Sequence, residues 1–382
     1  MANVAKIEVK DRNPVTSLQD LFKALLSLEE IDALLVAQHL HMKNAVMPTL
    51  VTDPDKLDGA DPLAPAFPIN AAKVVSKLTR KPLGSKVAVV LRPCELRAFV
   101  ELVKLKQGST EDVVLIGMDC LGAFSNVDYG RFAAEKGQES TLRFYQEYAA
   151  GNGGTGSGDI DISPACKACE HPTADIADLS IGLLGVDINE SLLLEARTPK
   201  GQELLDRLKL APAAEPDNRK QAIAELTDRR TAYCDQMFKE TSEATADLEK
   251  LMSHLSGCVN CYNCRVACPV CYCKECVFVT DVFDHEPSQY LRWAKRKGIL
   301  KMPTDTVFYH LTRLAHMSTA CIGCGQCSNA CPNDVPVMEL FRTIAAHTQR
   351  AFSYTAGRSF EEEPPLSIFR EKEFSEVTGG KD

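Results

Sequence analysis

The sequence predicts an α/β domain with a mixed, largely parallel sheet, followed by an α-helical domain. Two observations predict it. Over the first 210 residues, short β-branched apolar runs alternate with segments of helical spacing, as expected of strands buried on both faces with helices packed over them. In the last third, two matching cysteine runs are separated by segments of helical periodicity.

Residues 18–28 have helical spacing, 33–37 form a short apolar run, and 71–78 are helical again. Lys86-Val87-Ala88-Val89-Val90-Leu91 reads as a strand ending at Arg92-Pro93-Cys94, with a helix over 95–106. Asp112-Val113-Val114-Leu115-Ile116-Gly117 repeats the theme and ends at Asp119-Cys120. Both strands close in a cysteine loop at the carboxyl end, where open α/β sheets take their ligands. The glycine-rich run 151–158 joins no strand to a helix start, so it reads as a surface loop ahead of a phosphate cradle. A linker is expected at 212–216, and a charged amphipathic helical region over 219–255. Helical patterns recur at 288–297, 306–317 and 337–348. The expected units are a first domain over 1–211, a connector over 212–255, a second domain over 256–350 and a polar tail over 351–382. That tail is expected to be extended or docked on a partner.

Hydrophobic content of 45% and charged content of 25% are ordinary for a globular protein. No apolar run approaches a membrane span, and the N-terminus leads into charged residues with no signal core. A cytoplasmic location is expected, where disulfides are disfavoured. The net charge of −9 argues against nucleic acid and anionic membranes as partners.

Sixteen cysteines therefore need another use. Cys258-Val-Asn-Cys261-Tyr-Asn-Cys264-Arg-Val-Ala-Cys268-Pro269 recurs as Cys321-Ile-Gly-Cys324-Gly-Gln-Cys327-Ser-Asn-Ala-Cys331-Pro332. Three cysteines at i, i+3 and i+6, then a fourth followed by proline, are the ferredoxin pattern for a 4Fe–4S cluster. Two such runs in register make zinc remote. With helices inserted between the runs, the second unit is expected to be an α-helical dicluster ferredoxin domain. By ferredoxin precedent each fourth cysteine crosses over. Cys258, Cys261, Cys264 and Cys331 would hold one cluster, and Cys321, Cys324, Cys327 and Cys268 the other.

In the α/β half, Cys94, Cys120, Cys166 and Cys169 lie on three loops that could converge. Spacing alone leaves a third cluster, zinc and structural thiols open. Cys271, Cys273 and Cys276 crowd into six residues, and Cys234 stands alone on a helical stretch. These four either complete a fourth cluster or leave Cys234 as a buried free thiol.

The segments Arg92-Pro93-Cys94-Glu95-Leu96-Arg97, Ile116-Gly117-Met118-Asp119-Cys120 and Pro164-Ala165-Cys166-Lys167-Ala168-Cys169-Glu170, followed by 174–182, occur in that order. Together they resemble the β subunit of the hydrogenases and formate dehydrogenases that use the deazaflavin coenzyme F-420. The resemblance covers about residues 15–200. It implies a 4Fe–4S cluster on Cys94, Cys120, Cys166 and Cys169 beside a bound FAD. Two departures from the family pattern, Leu91-Arg92 before Pro93-Cys94 and the segment 65–70, bear on the flavin or hydride-carrier pocket. The C-terminal part resembles the helical ferredoxins of heterodisulfide-reductase and glycerol-3-phosphate-dehydrogenase small subunits.

Arg92 and Arg97 flank Cys94 and, with Asn70, are the candidates for holding the flavin; ion pairing with Glu95 or Glu101 is the alternative for the arginines. His171 is placed to tune a cluster or simply to hydrogen-bond. Arg292, Lys295, Arg296, Lys297 and Lys301 form a basic run suited to an acidic electron carrier or to solvent. There is no Walker loop, no His-Glu-x-x-His and no nucleophile elbow, and no catalytic residue stands out.

The expected function is an oxidoreductase subunit that joins a two-electron hydride carrier (F-420-type or NAD(P)H) through FAD to three 4Fe–4S clusters, or four if the last cysteines ligate. Its partners would be other redox subunits of hydrogenase, formate dehydrogenase or heterodisulfide-reductase type. The alternative is a flavin-free iron–sulfur relay with no substrate site of its own.

Overall fold

A computed structural model of the chain describes residues 3–40, 45–148 and 160–367. The glycine-rich run 151–158 and the end of the tail lie outside the described residues.

Eight strands form one sheet: β1 (Val4–Glu8), β2 (Ala33–His39), β3 (Val46–Val51), β4 (Val87–Leu91), β5 (Val113–Met118), β6 (Leu179–Gly182), β7 (Ser191–Ala196) and β8 (Ala211–Pro212). Their spatial order is β3-β2-β4-β5-β6-β7-β1-β8. Three pairings are parallel, β2 with β4, β4 with β5 and β5 with β6. The other four are antiparallel. The sheet is mixed, as expected, but its parallel part is confined to the centre. There β4 and β5 are buried along their whole length, which is why their uninterrupted apolar runs are visible in the sequence. By contrast, β1 alternates buried and exposed, and such short flanking strands carry a weaker signal. Pro212 lies in the edge strand β8, opposite Ala5. The expected linker therefore begins inside the sheet, at an edge where a missing N–H is tolerated.

The helices of this half are α1 (Pro14–Leu26), α2 (Ala72–Leu78), α3 (Pro93–Lys104), α4 (Asn126–Lys136), α5 (Ser140–Glu147), α6 (Pro164–Lys167) and α7 (Pro199–Leu208). One face of the sheet packs on α1, α4 and α5 through residues such as Phe22, Phe124, Phe132 and Phe144. The other packs on α2 and α3 and also takes Ile322, Tyr354 and Ala356 from the far end of the chain. That second core joins the two halves.

A 26-residue helix, α8 (Arg219–Ala244), crosses from the sheet to the C-terminal region. Its buried residues, Arg219, Leu226, Arg230, Cys234, Met237 and Thr241, recur every three or four positions after the first turns, the stripe of a helix buried on one side. After α9 (Leu248–His254) come α10 (Asn263–Ala267), α11 (Pro287–Lys297), α12 (Thr306–Met317), α13 (Gln326–Asn329) and α14 (Val337–Ala351). Their core centres on Tyr309, Leu314, Met317, Leu340 and Phe341.

The start of the tail is docked on the chain itself. Glu101 Oε1 on α3 accepts from Tyr354 Oη at 2.6 Å and from Gly357 N at 2.6 Å. Gly357 has φ +73°, and a Cβ there would stand 2.5 Å from Arg97, so the close approach and the left-handed backbone both require glycine. None of the described helices is long and apolar enough to cross a membrane.

Candidate functional site

Three cavities gather twelve of the sixteen cysteines. The first, about 330 Å³, is lined by Cys258, Cys261, Cys264 and Cys331. The second, about 400 Å³, is lined by Cys268, Cys321, Cys324 and Cys327. Cys94, Cys120, Cys166 and Cys169 line the third, about 440 Å³. Each grouping is one that the sequence suggested, including the exchange of fourth cysteines between the two runs.

Backbone conformation explains the first two. Asn260 and Tyr262 have φ of 51° and 62°, and Gly323 and Gly325 have φ of 70° and 77°. The left-handed residues thus fall at the same two offsets in each run, curling both loops so that three thiols face one point. Gly325 has a second constraint: a Cβ would stand 2.4 Å from Ala165 Cβ on α6. At the third cavity, Pro93 starts α3 directly after β4 and so places Cys94 in its first turn. Ser163 caps α6 by accepting from Cys166 N, and Cys120 follows the buried end of β5.

The cavities are in series. Ile322, Gly323 and Cys324 line both the second and the third. Phe67 and Arg92 line the third and also a fourth, cysteine-free cavity of about 390 Å³ beside Leu35, Val46, Ile69 and Val90. Gln326 Nε2 and Asn329 Nδ2 both donate to Phe67 O, at 2.8 and 3.1 Å, which locks the second run against this region. Between the first two cavities lies Arg313. It donates to Cys264 Sγ at 3.0 Å and lines the second cavity.

Burial raises the pKa of several of these thiols. It pushes Cys321 up to about 11 and Cys120 to about 11, with Arg92 and Arg230 pulling Cys120 the other way. Free thiols at Cys321 and Cys120 would thus be neutral at pH 7, whereas a coordinating thiol is deprotonated by its metal. Burial also drives His171 down to about 3 and His310 down to about 4, leaving both rings uncharged at neutral pH.

These residues fit iron–sulfur clusters. Arg313 is 4% exposed, and among the described residues no carboxylate lies within ion-pair distance of it. Its neighbours are the sulfurs of Cys264, Cys268 and Cys327 and the Tyr309 hydroxyl. A buried cation needs an anionic partner, and metallated thiolates supply one. No three His, Cys, Asp or Glu side chains among the described residues are grouped to hold a single metal ion; in a cubane each thiolate binds its own iron.

The remaining cysteines do not form a group of four. Cys234 is 1% exposed on the buried stripe of α8, packed with Ala165, Ala168, Met237 and Met338. Cys271 and Cys276 pack against a different core, and Cys273 is exposed. The physical reason is the helical stripe, which turns Cys234 towards α6 and α14. Cys234→Ala is expected to leave iron content unchanged and to cost about 1 kcal/mol of stability; iron analysis checks it, and loss of about four irons would restore Cys234 as a ligand.

Of the three flavin candidates, only Arg92 reaches the fourth cavity. Its Nη2 donates to Ala64 O and its guanidinium lies 5.5 Å over the Phe67 ring. Arg97 donates to Ala356 O from Nε and Nη2, so it is occupied by the tail. Asn70 Oδ1 accepts from Ala72 N, and its side chain lies beside the Cys324 thiol, whose pKa burial raises while Asn70 pulls it the other way. The basic residues of α11 are exposed, and Lys301 donates to Cys258 O at 3.1 Å, on the rim of the first cavity. Sequence reasoning missed Arg230, which donates to Cys120 O at 3.2 Å, and Arg313. The available signal was an arginine at the spacing of a buried helical stripe.

Two stretches of the chain match known family models. Residues 84–221 match the family model for the C terminus of the beta subunit of coenzyme F420 hydrogenase/dehydrogenase, and residues 316–337 match that of the 4Fe-4S binding domain. The resemblance drawn from the cysteine motifs is thereby borne out. More particularly, the chain is 25% identical to the F420-dependent formate dehydrogenase subunit beta of Methanocaldococcus jannaschii, covering 92% of this chain and 93% of that one. It is 24% identical to the F420-dependent formate dehydrogenase 1 subunit beta of Methanococcus maripaludis, covering 91% of each. Among solved structures, a chain of the F420-reducing NiFe hydrogenase complex from Methanosarcina barkeri aligns with a TM-score of 0.45 and 16% identity, over 65% of this chain and 94% of that one. The formate dehydrogenase relatives are oxidoreductase subunits.

Proposed function

We propose that this chain is the iron–sulfur flavoprotein subunit of a cytoplasmic, multisubunit oxidoreductase. It would join an F420-type hydride carrier to a formate dehydrogenase, hydrogenase or related redox partner. Cys94, Cys120, Cys166 and Cys169 are assigned to one 4Fe–4S cluster, Cys268, Cys321, Cys324 and Cys327 to a second, and Cys258, Cys261, Cys264 and Cys331 to a third. FAD is assigned to the cavity walled by Phe67 and Arg92. A flavin supplies the joint between hydride and one-electron traffic, and such clusters carry one electron each.

The observation that carries this reading is the sharing of walls. Arg92 and Phe67 separate the cysteine-free cavity from the Cys94 cavity, Cys324 stands between that cavity and the next, and Arg313 spans to the last. At the far end Cys261 is exposed, which suits exchange with a partner. Arg92 and Arg230 set positive charge at the Cys120 end, and apolar residues such as Ile322, Met317 and Phe341 exclude water from the middle cavity.

The test is flavin and iron per polypeptide after anaerobic purification, with the flavin released by heat and identified. One FAD with about twelve irons is expected. The same iron without flavin, even after FAD is supplied, would overturn the flavin assignment and leave a relay. Iron sufficient for fewer than three clusters would overturn the cluster assignment itself.

A further inference from the structure

Resting on that cluster assignment, we propose that Arg313 is a shared electrostatic control for two clusters. One buried guanidinium, brought in by a helix lying between the two cysteine runs, raises the reduction potentials of the Cys258 and Cys321 clusters together.

The sequence between the runs folds into α11 and α12, and α12 buries Thr306, Tyr309, His310, Arg313, Leu314 and Met317 on one side. Apolar burial alone would favour leucine or methionine at position 313. The arginine there has its head closed in on every side. Nη1 donates to Cys264 Sγ at 3.0 Å and Nη2 to Cys264 O at 3.2 Å. Its guanidinium carbon lies 4.6 Å from the Phe341 ring centroid and 5.5 Å from that of Tyr309. The same side chain lines the cavity of Cys268, Cys321, Cys324 and Cys327. It therefore touches a thiol of one set while facing the other set.

Reduction adds an electron to an already anionic thiolate cluster, so a fixed neighbouring cation stabilises the reduced form more than the oxidised one. Burial leaves that attraction poorly screened by salt. Two effects are then separable. The charge acts on both clusters, whereas the hydrogen bond to sulfur acts only on the cluster of Cys264. The Cys94 cavity has its own cations, Arg92 and Arg230, and stands outside this influence.

The experiment uses the full chain, purified anaerobically, with iron counted and a redox titration followed by electron paramagnetic resonance. In Arg313→Gln, which keeps an N–H donor but removes the charge, two of the three one-electron transitions should become about tenfold less favourable, a fall of about 59 mV each for a one-electron couple. The third should stay at the parent value. Arg313→Lys, which restores the charge, should return at least one of the two. If Arg313→Gln loads less iron than the parent, Arg313→Met provides the uncharged variant without an unpaired buried amide. A fully loaded uncharged variant with no displaced transition, or with only one, overturns the shared role. A parent chain with fewer than three transitions instead sinks the cluster assignment on which the proposal rests.

Discussion

Replacing Cys324 by serine is expected to remove about four of about twelve irons and to interrupt electron flow between the Cys94 cluster and the exposed end at Cys261. Cys324 is the thiol on the wall common to two cavities, and the next residue, Gly325, is wedged against Ala165, one position before Cys166. Loss of this ligand acts at the middle of the series. Cys261→Ser offers the comparison, because Cys261 is exposed and lines only the first cavity. It should also cost about four irons, yet leave electron exchange between the proposed flavin and the other two proposed clusters intact. Iron analysis with stopped-flow reduction of the purified chain distinguishes the two variants. Unchanged iron in Cys324→Ser would remove Cys324 from the ligand set. Identical kinetics in both variants would overturn the serial order.

Asp119→Ala is expected to destabilise the α/β half by about 3–5 kcal/mol. Asp119 directly follows β5, is fully buried, and precedes Cys120. Its Oδ2 accepts from Leu183 N at 2.8 Å, from Leu184 N at 3.1 Å and from Arg219 Nη1 at 2.6 Å. Oδ1 accepts from Arg219 Nη2 at 3.2 Å. Truncation would strand two backbone donors and leave buried Arg219 with only Glu215, partly exposed and 3.7 Å from its Nε, as a counter-charge. Because much of the penalty is the stranded charge, Arg219→Met in the same chain should recover part of it. Urea titrations of parent, single and double variants measure this cycle. A single-variant loss below about 1 kcal/mol, the range of exposed pairs, would show that the pair does not anchor α8. The loop of Cys120 should loosen in step, seen as faster loss of iron to a chelator.

Much of this site was legible from residue order alone. The two ferredoxin-type runs declare their ligands because a cubane needs three thiolates from one tight loop, and a tight loop means fixed spacing. Parallel strands β4 and β5 were legible for a related reason: burial on both faces demands continuous apolar residues. The four cysteines of the α/β half were less so. They come from three separate segments, the first turn of α3, the residues after β5, and α6 with the residues after it, and spacing carries no information about segments that meet only when a sheet has formed. Cys234 illustrates the converse. It belongs to a helical stripe with Leu226, Arg230 and Met237, and that periodicity, not the count of cysteines, decides where its thiol points.

Residue order alone showed that the chain carries ferredoxin-type cysteine runs, that an α/β unit precedes them, and that its motifs resemble F420-linked β subunits. These are local properties, written in spacing, periodicity and short motifs. Only the tertiary structure decided the adjacency of the cavities, the turning of Arg97 to Ala356 and of Asn70 to Cys324, and the position of Arg313 between two thiol sets. Each depends on residues far apart in the chain brought together by packing, across the α3–tail contact or along α12. A buried charge chooses its partners from whatever the fold places within a few ångströms, and no sequence pattern encodes that choice.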